Sequence, residues 1–496
     1  MRLGTAAGRW VVAATVLGSG MAAIDATVVG IALPTIGREF HASVGALQWV
    51  VTGYTLSLAA LLLVGGSLGD HYGRRRMFVA GVVVFVACSI ACALAPGTTS
   101  LVVVRVLQGV GAALLTPESL AILQATFDGE DAGRAIGAWS AYGGLATAVG
   151  PLLGGYLIAT ASWRWIFLIN VPLGALVLVV AARHVPESTD ATVGPGIDGA
   201  GAVLATVALA GVTYALIEGP AHGWTRSSVP LAMGLGIAAG VAFVLVERRA
   251  RAPMLPLGLF RVRQFSVTNV VTFIVYAALG GALFLLPVQL QVADGYTPVE
   301  SGVALLPLTA IMLLLSARSG RLAARIGPRL QMSAGPVVVG LGLALLARAA
   351  TDRSYASGVL PAVIVFGLGL AITVAPLTAT ALAAAPREHA GMASAVNNDV
   401  ARVGSLIAVA VLPALTGMSG TSYLHPASMS ASFRSAVLLA GAACVAGGVV
   451  AAVGIRNPPA PEGRAGATGH EPAQCLHCAL DGAPLATEPA ALCGRD

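Results

Sequence analysis

A chain of 496 residues that is 57% hydrophobic and only 10% charged lies far from the soluble norm of about 25% charged residues, which excludes an ordinary soluble enzyme or binding module. Its basic residues are all arginine, and with no lysine there is no phosphate-cradling P-loop, which argues against direct coupling to ATP. The net charge of +6 sits largely in the gaps between apolar runs, which marks membrane topology rather than a nucleic-acid surface.

Apolar runs of spanning length recur from end to end and predict fourteen helices. They fall near 10–33, 48–68, 77–95, 100–124, 135–160, 164–183, 198–218, 229–247, 266–291, 301–322, 331–350, 357–382, 393–416 and 433–455. The first begins after Arg2 and Arg9, stays apolar to Pro34 and lacks a clear small-residue cleavage site, so it is read as an uncleaved span. Within it Asp25 sits roughly 13 Å from the outer end at 1.5 Å per residue. A carboxylate at that depth is expensive, must face the bundle interior, and is a functional candidate by default. It can exchange a proton as a chamber between two bundles alternately wets and closes, against the plainer reading of a buried structural acid.

Between the second and third runs, Gly66-Ser67-Leu68-Gly69-Asp70-His71-Tyr72-Gly73-Arg74-Arg75-Arg76 crowds one acid and three arginines into a turn. Each arginine would cost roughly 3 kcal/mol at the bilayer centre, so the turn lies at a membrane face, and arginine clusters favour the cytoplasmic one. An even number of spans then puts both termini in the cytoplasm. Asp70 beside Arg74 suggests either a charge relay at a cytoplasmic gate or a plain loop clamp.

On the fourth run Arg105 lies roughly 9 Å deep, close to the level of Asp25. Gln108, Ala112, Thr116 and Ser119 share its face at 100° per residue, a polar stripe suited to a cavity wall. Glu118 falls on nearly the opposite face, toward the cytoplasmic end, and is either a second proton site or an acid in a polar pocket. The fifth run carries Gly143-Gly144, then Gly150-Pro151-Leu152-Leu153-Gly154-Gly155, glycines that permit close helix approach and a proline that bends the helix. Among aromatic residues Trp49, Tyr54, Trp139, Tyr142, Phe273 and Tyr276 could stack on a flat or cationic substrate, although singly such residues are more often packing or interface residues. Tyr142 and Tyr276, with Gln108, are taken as the substrate cavity.

The runs near 198–218 and 229–247 separate two halves, because Ser319-Gly320-Arg321-Leu322-Ala323-Ala324-Arg325-Ile326-Gly327-Pro328-Arg329 echoes the opening loop with Ala324 in place of the aspartate. Two parallel repeats with a substrate site between them are a common transporter plan. The expected division is a first six-helix bundle over 1–187, two inserted helices over 188–257 and a second bundle over 258–457. Asp399 and Arg402 stand one helical turn apart, a spacing that predicts an internal salt bridge. Cys88, Cys92 and Cys444 read as small core residues. Beyond Arg456 the chain turns to Pro, Gly, Ala and charge without periodicity, so 458–496 is read as a disordered cytoplasmic tail. Its Cys475-Leu476-His477-Cys478 with Cys493 is a single CxxC, too little for a zinc site, and no metal or cofactor is expected.

With these residues assembled, the chain resembles the major facilitator superfamily and, within it, the fourteen-helix drug:proton antiporters of the EmrB/QacA type. The loop Gly66 to Asp70 with Gly73, Arg74 and Arg75 is similar to the superfamily's loop motif, and Arg105 with Gln108-Gly109 to its fourth-helix motif. Gly150-Pro151 with Gly154-Gly155 resembles the fifth-helix motif associated with antiport. Asp25-Ala26-Thr27-Val28-Val29 through Pro34, and Trp163-Arg164-Trp165-Ile166-Phe167 with Asn170-Val171-Pro172, resemble the fourteen-helix group. The resemblance implies an all-α integral membrane protein of major facilitator fold, with proton coupling at Asp25 and Arg105, gating by Asp70 and Arg74, and antiport geometry from Gly150 and Pro151. Gly30, His71 and Glu118 depart from the family pattern. The implied activity is proton-coupled efflux of hydrophobic or cationic drugs and antibiotics by a monomer in the cell membrane, with small molecules, protons and lipid as its partners and no nucleic acid. Two other readings stay open: an exporter of one endogenous metabolite or self-made antibiotic, and a non-transporting membrane sensor or scaffold. An integral-membrane enzyme is disfavoured, since no nucleophile and base are assembled.

Overall fold

The structure, a computed structural model, describes residues 1–189, 198–250, 255–352, 354–386 and 390–457. Cys475, Cys478 and Cys493 therefore lie outside the described residues. Fourteen helices are long and apolar enough to cross a membrane: α1 Ala6–Phe40, α2 Val44–Tyr72, α3 Arg74–Ala93, α4 Thr98–Thr126, α5 Gly129–Thr160, α6 Trp165–His184, α7 Gly199–His222, α8 Ser228–Glu247, α9 Arg263–Ala293, α10 Pro298–Ile326, α11 Pro328–Ala350, α12 Tyr355–Ala383, α13 Met392–Leu415 and α14 Pro426–Gly454. Every predicted run is present. Several helices are longer than predicted because they continue past the apolar stretch into polar ends, as α1 does through Arg38 and Glu39.

Helix packing repeats with a shift of eight. In the first half α2 and α3 pack on α4, α1 packs on α5 and α6, and α3 packs on α6; in the second, α10 and α11 pack on α12, α9 packs on α13 and α14, and α11 packs on α14. The repeat extends to backbone detail. Gly73, between α2 and α3, has φ +111°, and Gly327, between α10 and α11, has φ +85°. Both lie in the left-handed region that strongly favours glycine, so the two turns share a conformation as well as a sequence echo. The halves meet through α2 with α13 and through α5 with α10, which are equivalent pairs under the same shift. The extra pair stands outside this plan: α7 packs on both α2 and α13 across their seam, and α8 packs on α7.

Loops alternate between two ends of the bundle. Arg74, Arg75 and Arg76, Arg183, Arg248 and Arg249, Arg261 and Arg263, and Arg325 and Arg329 gather at one end. The described hydrogen bonds between the halves lie toward the other, arginine-poor end. Gln48 Nε2 donates to the Val409 and Ala410 carbonyls at 2.6 and 3.0 Å, Gln291 Nε2 to the Ile31 carbonyl at 3.0 Å, and Val44 N to the Gly420 carbonyl at 2.8 Å. The Tyr423 hydroxyl donates to the Ala42 carbonyl at 2.9 Å. Burial pushes that phenol up to about 12, so it remains a donor throughout the neutral range. At the same end Trp163 Nε1 and Arg164 both hold Glu39, tying α1 to the α5–α6 turn.

Glycines set the closest approach between the halves. A side chain on Gly155 of α5 would collide with the Pro298 carbonyl of α10, and one on Gly302 of α10 with the Pro151 carbonyl of α5. Gly302→Val should therefore disfavour closure of the arginine-poor end by about 1–3 kcal/mol, the usual range for overpacking. Cysteine labelling from that end should become about tenfold faster, and unchanged labelling of a normally abundant Gly302→Val protein would show that this contact does not hold the end shut. Toward the arginine-rich end packing is looser, and side chains added at Gly133, Gly137, Gly143 or Gly144 would meet nothing within 4 Å. The arrangement is closed at the arginine-poor end.

Candidate functional site: a buried ion pair in the first bundle

Asp25 is fully buried, and Arg105 is 1% exposed. Their side chains form an ion pair between Arg105 Nη1 and Asp25 Oδ2. Four helices supply the surroundings. Gln108 Nε2, one turn along α4, donates to Asp25 Oδ1 at 3.0 Å and to Ser89 Oγ of α3 at 2.9 Å. Gln108 Oε1 accepts from Arg105 Nη1 at 2.7 Å. Asn170 Nδ2 of α6 reaches Asp25 Oδ1 at 3.4 Å and Ser89 Oγ at 3.2 Å. From α2, the Val50 carbonyl accepts from Arg105 Nε at 3.1 Å, and the Tyr54 ring lies 4.3 Å below the guanidinium.

The carboxylate thus receives donors from three side chains, and the guanidinium has an anion, two neutral acceptors and a π face. Such saturation is what a buried pair requires, because Coulomb attraction alone does not repay desolvation of both charges. The arrangement is chemically able to act as a switch. A proton on Asp25 would remove the charge that holds Arg105 and free the Gln108 and Asn170 amides to find other partners, which would couple protonation to the packing of α1, α3, α4 and α6.

Two expectations change here. Asp25 does face a bundle interior, but it is enclosed within the first half and does not open on the space between the halves; its neighbour Ala26 is exposed instead. Gln108 is also fully buried and belongs to the ion-pair network rather than to a cavity wall. The helical-wheel argument rightly put it on the Arg105 face, but that face turns into the bundle. Tyr142 is 55% exposed on α5, and Tyr276 is half-buried on α9. Ser89 was not singled out, and Asn170 only within a motif. Each is a single polar residue in an apolar run, and only packing shows that they converge.

Glu118 is not brought to this network. Thirteen residues along α4 from Arg105, about 20 Å away, it is fully buried with neither carboxylate oxygen hydrogen-bonded. Its carboxyl group rests against Gly69, where any side chain would collide with it. It therefore lies beneath the loop motif. In that motif Arg74 holds Asp70 through Nε at 3.0 Å and Nη2 at 2.7 Å. Arg75 N donates to Glu187 Oε1 at 3.0 Å, and both Arg75 and Arg76 lie 3.7 Å from that carboxylate. Gly73 is left-handed and faces Glu187 closely, whereas Gly66 makes only ordinary contact with Pro117. These contacts all join elements of the first half. On α5, side chains at Gly150 and Gly154 would strike Thr27 and Val28 of α1, while Gly155 faces α10; Pro151 lies inside the helix. The antiport-like motif therefore fits α5 both to the Asp25-bearing helix and to the opposite half.

The expected pair of Asp399 with Arg402 does not form: Asp399 Oδ1 is buried without a hydrogen-bond partner. Among the described residues no group of three or more His, Cys, Asp or Glu could hold a metal ion.

A model of the Major Facilitator Superfamily matches residues 15–409. The chain is 37% identical over 414 residues to the "Multidrug resistance protein Stp" of Mycobacterium tuberculosis, covering 83% of this chain and 76% of the relative. It is 36% identical over 406 residues to the "Tetracenomycin C resistance and export protein" of Streptomyces glaucescens, covering 81% and 74%. Among solved structures, a crystal structure of the peptide transporter POT in complex with sulfate superposes with a TM-score of 0.65 at 15% identity, covering 89% of this chain and 94% of that one; at that identity the likeness concerns the fold.

Proposed function

The chain belongs to the major facilitator superfamily, and from that membership we propose that it is a proton-coupled antiporter exporting hydrophobic or cationic drugs and antibiotics across the cell membrane. It is a multi-pass membrane transporter and not an enzyme; proton coupling and the cargo are the proposal. The observation that carries it is the fully buried Asp25–Arg105 pair with its amide network, an ionisable group whose charge state and helix packing cannot change independently.

With the arginine-rich end in the cytoplasm, as the positive-inside rule favours, both termini are cytoplasmic and the conformation described is inward-facing. Cargo enters between the halves from the cytoplasm while Asp25 is ionised and paired. Reorientation parts the α2–α13 and α5–α10 contacts and wets the network from outside, and proton uptake by Asp25 then weakens cargo binding. The return transition carries the proton inward. Glu118 under the loop motif is a second proton site, and the Asp70–Arg74 clamp times opening of the cytoplasmic end. The working monomer comprises bundles 1–187 and 258–457, the inserted pair within 188–257, and the tail 458–496. A narrower reading, export of one self-made antibiotic, is favoured by the name of the tetracenomycin relative.

Substrate-induced proton release tests coupling directly. Purified protein in weakly buffered solution should acidify the medium on addition of a transported aromatic cation such as ethidium, about one proton per binding site. Saturable ethidium binding with no pH change at any starting pH between 6 and 8 would refute the antiport scheme.

A further inference from the structure

Arg402 is a second intramembrane arginine, and the network around Asp25 does not use it. Ten residues into α13, it lies about 15 Å from the arginine-rich end. The rotation of α13 is fixed by its other side. Asn397 Nδ2 donates to Asn269 Oδ1 at 3.1 Å and Thr272 Oγ1 at 2.8 Å, both on α9, and Ser405 Oγ donates to the Tyr276 carbonyl at 2.9 Å. Gly404 lets α13 close onto Phe273 of the same helix.

With Asn397 and Gly404 on α9, the stripe Asn398, Arg402, Leu406 and Val409 turns away from α9 and toward α2. At the top of that stripe Gln48 of α2 meets the Val409 and Ala410 carbonyls; lower down Asn398 is exposed and Arg402 half-buried. Arg402 is near enough to act electrostatically on Tyr54 of α2 and Tyr276 of α9, two of the helices against which α13 packs. Among the described residues it has no hydrogen-bond or ion-pair partner. Asp399, one turn away, acts on it electrostatically but forms neither a hydrogen bond nor an ion pair with it.

An unpaired guanidinium at mid-membrane depth persists only where it meets water or a partner that arrives later. We propose that Arg402 is the cargo-anchoring residue of the space between the halves, and that it receives an acidic oxygen, a carboxylate or phenolate, of an aromatic amphiphile. This rests on the export reading and moves its cargo from cations to hydrophobic compounds that carry an acidic oxygen. The planar fork suits a carboxylate bidentately, and half-buried Tyr276 lies on the neighbouring α9. The amphiphile brings its own counter-charge, which a purely cationic cargo could not.

Two xanthene dyes of similar ring size test this: fluorescein, which is anionic, and rhodamine 6G, a cationic ester. Binding to the purified full-length protein is read by fluorescence polarisation. In Arg402→Gln the affinity for fluorescein should fall about tenfold or more relative to that for rhodamine 6G, and Arg402→Lys should recover part of the loss, which an unfolded variant could not do. An unchanged ratio in Arg402→Gln, or no fluorescein binding by the unmodified protein, overturns the assignment. Dye export from membrane vesicles is scored separately. Export of rhodamine 6G without fluorescein binding sinks this inference and leaves the export reading standing; fluorescein binding through Arg402 with neither dye exported does the reverse.

Discussion

Asp25→Asn is expected to abolish proton-driven export, at least about 100-fold, while the protein still folds and reaches the membrane. The substitution keeps the size of the side chain and removes its ability to carry a negative charge. Arg105 would still have the Gln108 Oε1 and Val50 acceptors and the Tyr54 ring, so the guanidinium is weakened but not stranded. What disappears is the charge whose neutralisation loosens the network. The variant is thus held in one protonation state and should behave as a carrier without a drive: cargo can exchange down its own gradient, but a pH gradient no longer accelerates it. Reconstituted vesicles with and without an imposed pH gradient distinguish the two. Export by Asp25→Asn that still responds fully to the gradient would move the coupling site elsewhere, with Glu118 the first residue to examine, since it is buried with neither carboxylate oxygen hydrogen-bonded.

Much of this architecture was legible before any coordinates, because hydrocarbon imposes a length and polarity requirement that every spanning helix must meet. The repeat was legible too, since glycine is the natural occupant of a left-handed turn, and Gly73 and Gly327 stand at equivalent turns. The harder question was which polar residues meet. Periodicity gives the face of a helix but not what lies across from it. Gln108 was placed on the correct face and assigned to the wrong space. Glu118, read as facing away from Arg105, proves to press on Gly69 of α2. Asp399 and Arg402 have the spacing of a helical ion pair, yet spacing permits contact without enforcing it. What surrounds each of them depends on the rotation of α13, which Asn397 and Ser405 set through bonds to α9, and no local pattern contains that information. Asn170 and Ser89 are a similar case: each reaches Asp25 or its amide partner only because α3 and α6 pack against α1 and α4.

Arg105→Ala should be more damaging to the fold than any single change at Asp25. Truncation removes the cation and leaves the fully buried Asp25 carboxylate with only the Gln108 and Asn170 amides. It also removes the cation from the face of the Tyr54 ring and the extra donor to the Val50 carbonyl. Breaking one side of a buried pair costs about 3–5 kcal/mol, because an uncompensated charge remains. The loss should appear as a lower midpoint on unfolding in mixed micelles and as reduced membrane abundance. A change at both sites separates charge from packing. Asp25→Asn with Arg105→Gln leaves neutral, hydrogen-bonding groups where the pair stood, and replacing a whole buried pair can cost little. If the pair is the dominant interaction, the double variant will be more stable than Arg105→Ala by about 2 kcal/mol or more, yet as inactive as Asp25→Asn in gradient-driven export. A double variant no more stable than Arg105→Ala would mean that the guanidinium acts mainly through its contacts with Val50 and Tyr54. Protonation of Asp25 would then have little hold on the helices it is proposed to move.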